Sequence, residues 1–170
     1  MSYYGATAYP TCYFDGTDFI RGGGSGTYAA YLGIYNSHKL VPSVLSIEFL
    51  TNSYEDTRAS VSVKVKLEEN VPEGHVVHII LWEDKIASQY NFCERRMAQY
   101  EVLMAKNAND EQIIKRTFTL DSGWNKANLG VSVWVQNYAG KQILNGRATK
   151  LVEGIAVTPT SIGRVKALYR

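Results

Sequence analysis

Between Ala59 and Leu67 every second residue is apolar. Ala59, Val61, Val63, Val65 and Leu67 alternate with Ser60, Ser62, Lys64 and Lys66. A period of two puts one set of side chains on each face of a strand, so this segment needs a core on one side and water on the other. Leu45, Ile47 and Phe49 repeat the pattern against Ser46 and Glu48. Val131, Val133 and Val135 repeat it against Ser132, Trp134 and Gln136. Val76 to Trp82 is almost continuously apolar, interrupted by His78, as suits a central strand. Thr117 to Leu120 alternates briefly, and Gln142 to Gly146 begins a last strand. Polar or turn residues lie between these runs: 52–57, Pro72-Glu73-Gly74 and Tyr138-Ala139-Gly140-Lys141. The pattern predicts a mostly β chain, an immunoglobulin-like antiparallel β-sandwich over residues 44–151.

Residues 1–40 have another texture. Tyr9-Pro10-Thr11 leads into Cys12-Tyr13-Phe14, and Asp15-Gly16 is a hairpin turn signal. Thr17 to Arg21 reads as the returning strand. Gly22, Gly23 and Gly24 break regular structure, and beyond Gly26 the period becomes helical. Tyr28, Tyr31, Leu32 and Tyr35 fall at i, i+3, i+4 and i+7, with Ser25 or Thr27 as a candidate cap. The order is strand, turn, strand, helix. Residues 86–112 mix helix formers with Tyr100-Glu101-Val102 and read as an extended excursion ending in a strand. Residues 152–170 form a tail in which Ser161 is a candidate cap for a final helical turn through Val165 and Leu168.

Charge and cysteine content remove several classes of function. Eighteen Lys and Arg against 16 Asp and Glu leave a net charge of +2, too balanced for a nucleic-acid binder recruited by charge. No apolar run reaches membrane-spanning length, and residues 1–20 lack the basic start and apolar stretch of a secretory signal. Cys12 and Cys93 are single, so a zinc ribbon and a CxxC redox pair within this chain are excluded.

Two stretches carry resemblances. Tyr4-Gly5-Ala6-Thr7-Ala8-Tyr9-Pro10-Thr11, the strand after it and Asp15-Gly16 resemble the second half of a thioredoxin fold. There a proline preceded by a cis peptide bond opens a strand, and a hairpin and helix follow. The resemblance covers about forty residues and implies a partial thioredoxin-like segment over 1–40, without the upstream unit that bears redox cysteines. The second resemblance runs from Leu45 to Leu151. It rests on Leu81-Trp82-Glu83-Asp84-Lys85-Ile86, Arg116-Thr117-Phe118-Thr119-Leu120, Trp124-Asn125-Lys126-Ala127-Asn128-Leu129-Gly130-Val131, Val133-Trp134-Val135-Gln136-Asn137 and Lys141-Gln142-Ile143-Leu144. In this order they are similar to the β-sandwich of the twenty-eight-kilodalton outer-membrane protein family of Gram-negative bacteria, whose members often carry a thioredoxin-like domain before the sandwich. The resemblance implies an envelope or extracellular address. Where that family often has a histidine in the middle excursion, this chain has Asn91-Phe92-Cys93-Glu94. The segment from Val157 to Arg170 resembles the terminal segment of some secreted bacterial proteins.

The candidate binding residues are Pro10, Thr11 and Trp134. Pro10 and Thr11 are placed to contact a peptide or thiol substrate, if the resemblance to a cis-proline loop extends to function; the alternative is a scaffold proline at a strand start. Trp134 has the opposite parity from Val131, Val133 and Val135, so it faces away from the sandwich core toward a partner or the appended helix. Trp82, Trp124 and Trp134 are together candidates for a sugar platform, with Trp82 read as core. Glu83 and Asp84, near Asn91, offer oxygen ligands for calcium or simply end a strand in solvent. His38, His75 and His78 lack ligand spacing; His75 and His78 face opposite sides of one strand. Cys12 and Cys93 are inert packing, or a pair if the chain is exported. Gly22-Gly23-Gly24-Ser25-Gly26 lacks the GK[ST] ending of a phosphate loop and reads as a hinge. No catalytic, cofactor or metal residue is assigned. The reading is a noncatalytic envelope or secreted interaction module with a protein or glycan partner, no nucleic acid, no transmembrane segment, and residues 1–40 available for docking on the sandwich or for self-association. The alternatives are the downstream part of a thiol-disulfide oxidoreductase and a carbohydrate-binding module.

Overall fold

The computed structural model describes residues 3–87 and 90–154. A hairpin of β1 (Thr11–Phe14) and β2 (Asp18–Arg21) comes first, then α1 (Thr27–His38). Nine strands follow: β3 (Leu45–Glu55), β4 (Arg58–Leu67), β5 (His75–Glu83), β6 (Cys93–Met97), β7 (Glu101–Val102), β8 (Glu111–Thr119), β9 (Leu129–Asn137), β10 (Ile143–Lys150) and β11 (Val152–Glu153). One sheet runs β10-β9-β5-β6, with β7 also on β5; the other runs β11-β3-β4-β8. All pairings are antiparallel except β11 on β3. This is the expected sandwich.

The core sits where the alternation puts it. Val61, Val63, Val65 and Leu67 of β4 meet Val77, Ile79 and Leu81 of β5 and Val131, Val133 and Val135 of β9 in one buried cluster. Each apolar set lines one face of its sheet, so two half-buried sheets close into a single core. Burying a Val or Leu side chain contributes about 1.5–3 kcal/mol each before chain entropy is charged against it.

Several expectations change. Residues 86–112 include the strand expected at Tyr100-Glu101-Val102, as β7, but the segment before it is not a free excursion: Ile86 N–H donates to Tyr90 O at 3.1 Å, and β6 and β7 both pair with β5 at the sheet edge. The break between them and the β-bulge at Leu81/Trp82 hide the period-two signal. Strand β8 is longer than residues 117–120 and starts at Glu111; the adjacent Ile113, exposed, and Ile114, in the core, hide its period of two. Glu83 is not a solvated strand end but is buried (below). Ser25 does not cap α1; Gly26 is the cap residue without a side-chain bond, and Thr27 Oγ1 instead accepts from Gly24 N–H at 2.8 Å. The final helical turn expected at 161–168 lies outside the described residues.

The hairpin and helix form the strand, turn, strand and helix expected, with Tyr9–Pro10 cis. The helix face is the correction. Thr27, Tyr31, Ile34 and His38 are its half-buried stripe, and Tyr31 packs edge-on against Phe14 at 5.4 Å. Tyr28, Leu32 and Tyr35 point outward, Tyr28 75% exposed. Tyrosine at three positions and Leu32 made two neighbouring stripes equally apolar, and only contact with the hairpin chose between them.

Candidate functional site

The alternation that buries Val131, Val133 and Val135 sends Ser132, Trp134 and Gln136 to the outer face of the five-stranded sheet. His78 of β5 lies opposite Trp134 in register and stacks on its indole at 4.9 Å and 20°. Rings continue from there: His78 to Tyr100 at 5.9 Å, Tyr100 to Tyr138 at 5.2 Å, Tyr138 to Tyr3 at 5.6 Å, Tyr3 to Tyr4 at 5.1 Å, Tyr4 to Tyr13 at 4.8 Å. Tilted and edge-on contacts at such spacings are the favoured geometry of aromatic pairs. This roof joins the N-terminal residues to the sandwich.

Polar contacts fix the same junction. Gln136, buried, donates through Nε2 to Tyr4 Oη at 2.8 Å and to Lys141 O at 2.6 Å, and its Oε1 accepts from Trp134 Nε1 at 3.1 Å. Tyr3 Oη donates to Tyr138 O. Ile143 N–H donates to Asp15 O at 2.7 Å, tying the hairpin turn to the start of β10. Gly16, at φ 79°, packs so closely that a Cβ would lie 1.8 Å from Lys141 O. Only glycine takes that conformation and that approach together.

His78 is 7% exposed, and neither ring nitrogen has a hydrogen-bond partner. Burial pushes its pKa below the usual histidine value. His38 is the opposite case. Its Nδ1 meets Asp15 Oδ2 at 2.7 Å and its Nε2 meets Asp18 Oδ2 at 2.8 Å. The bond to Asp15, and then that to Asp18, holds its pKa above the usual value. A cleft of about 830 Å³ opens between these two regions, with Asp15, Asp18 and His38 on one wall and Trp134 on the other.

Pro10 and Thr11 do not line this cleft. Pro10 is exposed, its carbonyl accepting from Gly22 N–H at 2.7 Å; Thr11 Oγ1 donates to Ala8 O at 2.6 Å. They sit on the hairpin, whose two-stranded sheet leaves β1 an open edge. Cys12 and Cys93 are both free thiols. Trp82 is buried, but on the outer face: it stands over Gly130, and its Nε1 donates to Ser132 Oγ at 2.9 Å. Trp124 lies under the guanidinium groups of Arg95 and Arg96, apart from the other two.

Glu83 is 4% exposed. Its Oε2 accepts from Arg95 Nε and Nη2, both at 2.8 Å, and its Oε1 from Asn125 N–H at 2.9 Å. A carboxylate with three donors is a satisfied structural ion pair. Asp84 instead lies 3.7 Å from Lys150 Nζ. Among the described residues no group of His, Cys, Asp and Glu is arranged to hold a metal ion, and no helix is long and apolar enough to cross a membrane.

His78, Gln136 and the tyrosine roof were not identified as one site in the sequence. Gln136 and His78 share the outward parity of Trp134, which was the available signal; the roof itself joins residues more than 130 positions apart.

No protein-family model matches the chain, and no curated protein matches it. Solved structures do. A domain of the outer membrane lipoprotein Omp28 from Porphyromonas gingivalis matches 68% of this chain over 94% of its own length, at 19% identity and a TM-score of 0.51. HBP35 of Porphyromonas gingivalis matches 92% of this chain at 13% identity and a TM-score of 0.64. The chain spans 59% of the length of HBP35. At these identities the likeness is one of fold: the chain has a β-sandwich similar to that of the Omp28 domain.

Proposed function

We propose that the protein is a noncatalytic interaction module of the bacterial cell envelope, engaging a protein partner, a second copy included, through residues 1–40. The observation that carries the reading is the outward surface of that segment. Tyr28, Leu32, Tyr35, Leu40 and Val41 are exposed on α1 and the link behind it, and among the described residues β1 pairs with β2 alone in a two-stranded sheet. Exposed aromatic and aliphatic side chains grouped on one element mark association surfaces, and an open strand edge is a template for pairing. The sandwich presents no comparable helix. The envelope address is supported by the likeness to a domain of an outer membrane lipoprotein. The division into a thioredoxin-like segment at 1–40, a sandwich at 44–151 and a tail belongs to the same proposal, supported by the strand, hairpin and helix order. Light scattering after size-exclusion chromatography tests it. The chain should self-associate at micromolar concentration, and the triple variant Tyr28→Ser, Leu32→Ser, Tyr35→Ser should be monomeric with an unchanged circular dichroism spectrum. A wild type that stays monomeric and retains no envelope protein in crosslinking would overturn it.

The oxidoreductase reading is less supported. Cys12 faces α1 and lies across from Ile20, with no second thiol paired to it. The chain should not accelerate insulin reduction by dithiothreitol; turnover abolished by Cys12→Ser would reverse the noncatalytic reading.

A further inference from the structure

Two tryptophans stand on the outer face of the five-stranded sheet, and each has a glycine across from it on the next strand. Trp82 pairs with Gly130 and Trp134 with Gly146. The first slot is full: a Cβ on Gly130 would fall 2.2 Å from the Trp82 ring. The second is open. A Cβ on Gly146 would meet only Trp134 Cβ and Val133 O, both at 3.5 Å, an ordinary contact distance. Ala148, opposite Ser132, continues the small-residue floor. One face of the Trp134 indole is stacked on His78, so the side over Gly146 is the one left toward the cleft.

The facing wall sets a polar cluster beside the apolar Phe14, Tyr35 and Val41. His38 bridges Asp15 and Asp18, and each carboxylate uses Oδ2 for that contact, leaving Oδ1 as an acceptor. Thr17 and Gln142 add hydroxyl and amide groups at the rim. Against the two carboxylates stand Lys39 and Arg147 on the same cleft. Charges of both signs give neither an anion nor a cation a net attraction, and the polar wall disfavours a purely apolar ligand. A flat ligand with an apolar face of C–H groups and a rim of hydroxyl donors satisfies both walls. The cleft volume of about 830 Å³ falls in the range of small-ligand sites.

We propose that this cleft binds a neutral carbohydrate, with Trp134 stacking on a sugar ring over Gly146 and Asp15 and Asp18 accepting its hydroxyls. The cleft adjoins the association surface on α1 and shares Tyr35 and Val41 with it, while Trp134, Gly146 and Ala148 lie outside that surface. The test uses the full chain, titrated with maltohexaose, cellohexaose, chitohexaose and mannohexaose, with hexagalacturonate as an anionic control. Tryptophan fluorescence and calorimetry report binding. At least one neutral hexasaccharide should bind with a Kd of about 1 mM or tighter. Gly146→Leu, which fills the slot, should weaken it at least about tenfold without lowering Tm, and Ala148→Leu should do the same from the adjacent position. Asp18→Asn should weaken it less. Three results overturn the proposal: no neutral hexasaccharide binds, only hexagalacturonate binds, or binding survives both floor-filling variants.

Discussion

The sandwich and the hairpin–helix unit use apolar residues to opposite ends. In the sandwich, alternation on β4, β5 and β9 puts a full set of valines, leucines and isoleucines into one sealed cluster. In the hairpin–helix unit α1 has no buried residue, and the unit holds to the sheet by aromatic edges, a buried glutamine and a glycine against a carbonyl. Two strands and one helix enclose too little volume for a core. The unit is therefore ordered by what it touches, and its stability should be local and separable from that of the sandwich.

The largest effect expected from breaking this contrast is in the core. Leu81→Ala removes a fully buried side chain from the C-terminal half of β5 and should cost about 2–5 kcal/mol, read as a lower urea midpoint for the whole sandwich. If the stability from the urea curve falls by less than about a tenth of that, β5 is not central to cooperative unfolding.

Gly16→Ala should act next, and only on the junction. The new Cβ collides with Lys141 O, and the backbone holds a positive φ that alanine disfavours. Displacing the turn also breaks the Ile143 N–H to Asp15 O bond. Amide exchange should rise across β1, β2 and α1 by the equivalent of about 1–3 kcal/mol, with β4 unchanged. Equal loss of protection in both regions would show that they unfold as one unit.

The sandwich was legible because a period of two survives in a single sequence wherever a strand is long and one face is wet; Val61 to Leu67 and Val131 to Val135 needed nothing else. Strand β6 was not legible, since its five residues, Cys93-Glu94-Arg95-Arg96-Met97, read as helix formers and are too short to show a period, whereas β7 was visible in Tyr100-Glu101-Val102. The buried state of Glu83 depended on Arg95 and on Asn125, supplied by two other parts of the chain. Trp134 was placed on the outer face by parity alone, whereas its stacking on His78 and the cleft beside it required the pairing of β5 with β9 and the docking of the hairpin. A sequence shows which way a side chain faces more readily than what it meets there.

His78 makes a smaller, testable difference at the boundary between the regions. Its two unpartnered nitrogens are buried beneath Tyr100 and beside Trp134. His78→Phe keeps a ring in the stack and removes both unsatisfied groups, so it should stabilise the protein by about 1 kcal/mol. Because burial favours the neutral ring, the folded pKa lies below the unfolded value near 6.5. Stability from this group is complete above about pH 6.5 and is lost as pH falls through the folded pKa. The acid-side slope of Tm should flatten in His78→Phe. An unchanged slope, with no gain at neutral pH, would mean that His78 is hydrated in solution.

His38 should give the smallest effect, with the opposite sign. Hydrogen bonds to Asp15 and Asp18 favour the imidazolium, so its folded pKa lies above the unfolded value near 6.5. The contribution is complete below that value and is lost as pH rises through the folded pKa. The group is partly open to solvent and its partners are exposed, so salt should screen the effect. As pH rises above about 6.5 the end of α1 should loosen against the hairpin, whereas the His78 stack should already have firmed as pH rose toward about 6.5 from below. Two-dimensional NMR of the imidazole protons and amide exchange of α1 follow the two events separately. In His38→Gln the pH dependence at α1 should vanish while that at β5 remains. If one substitution abolishes both, the junction titrates as a single unit and the separation of the two regions drawn from their packing does not extend to their protonation.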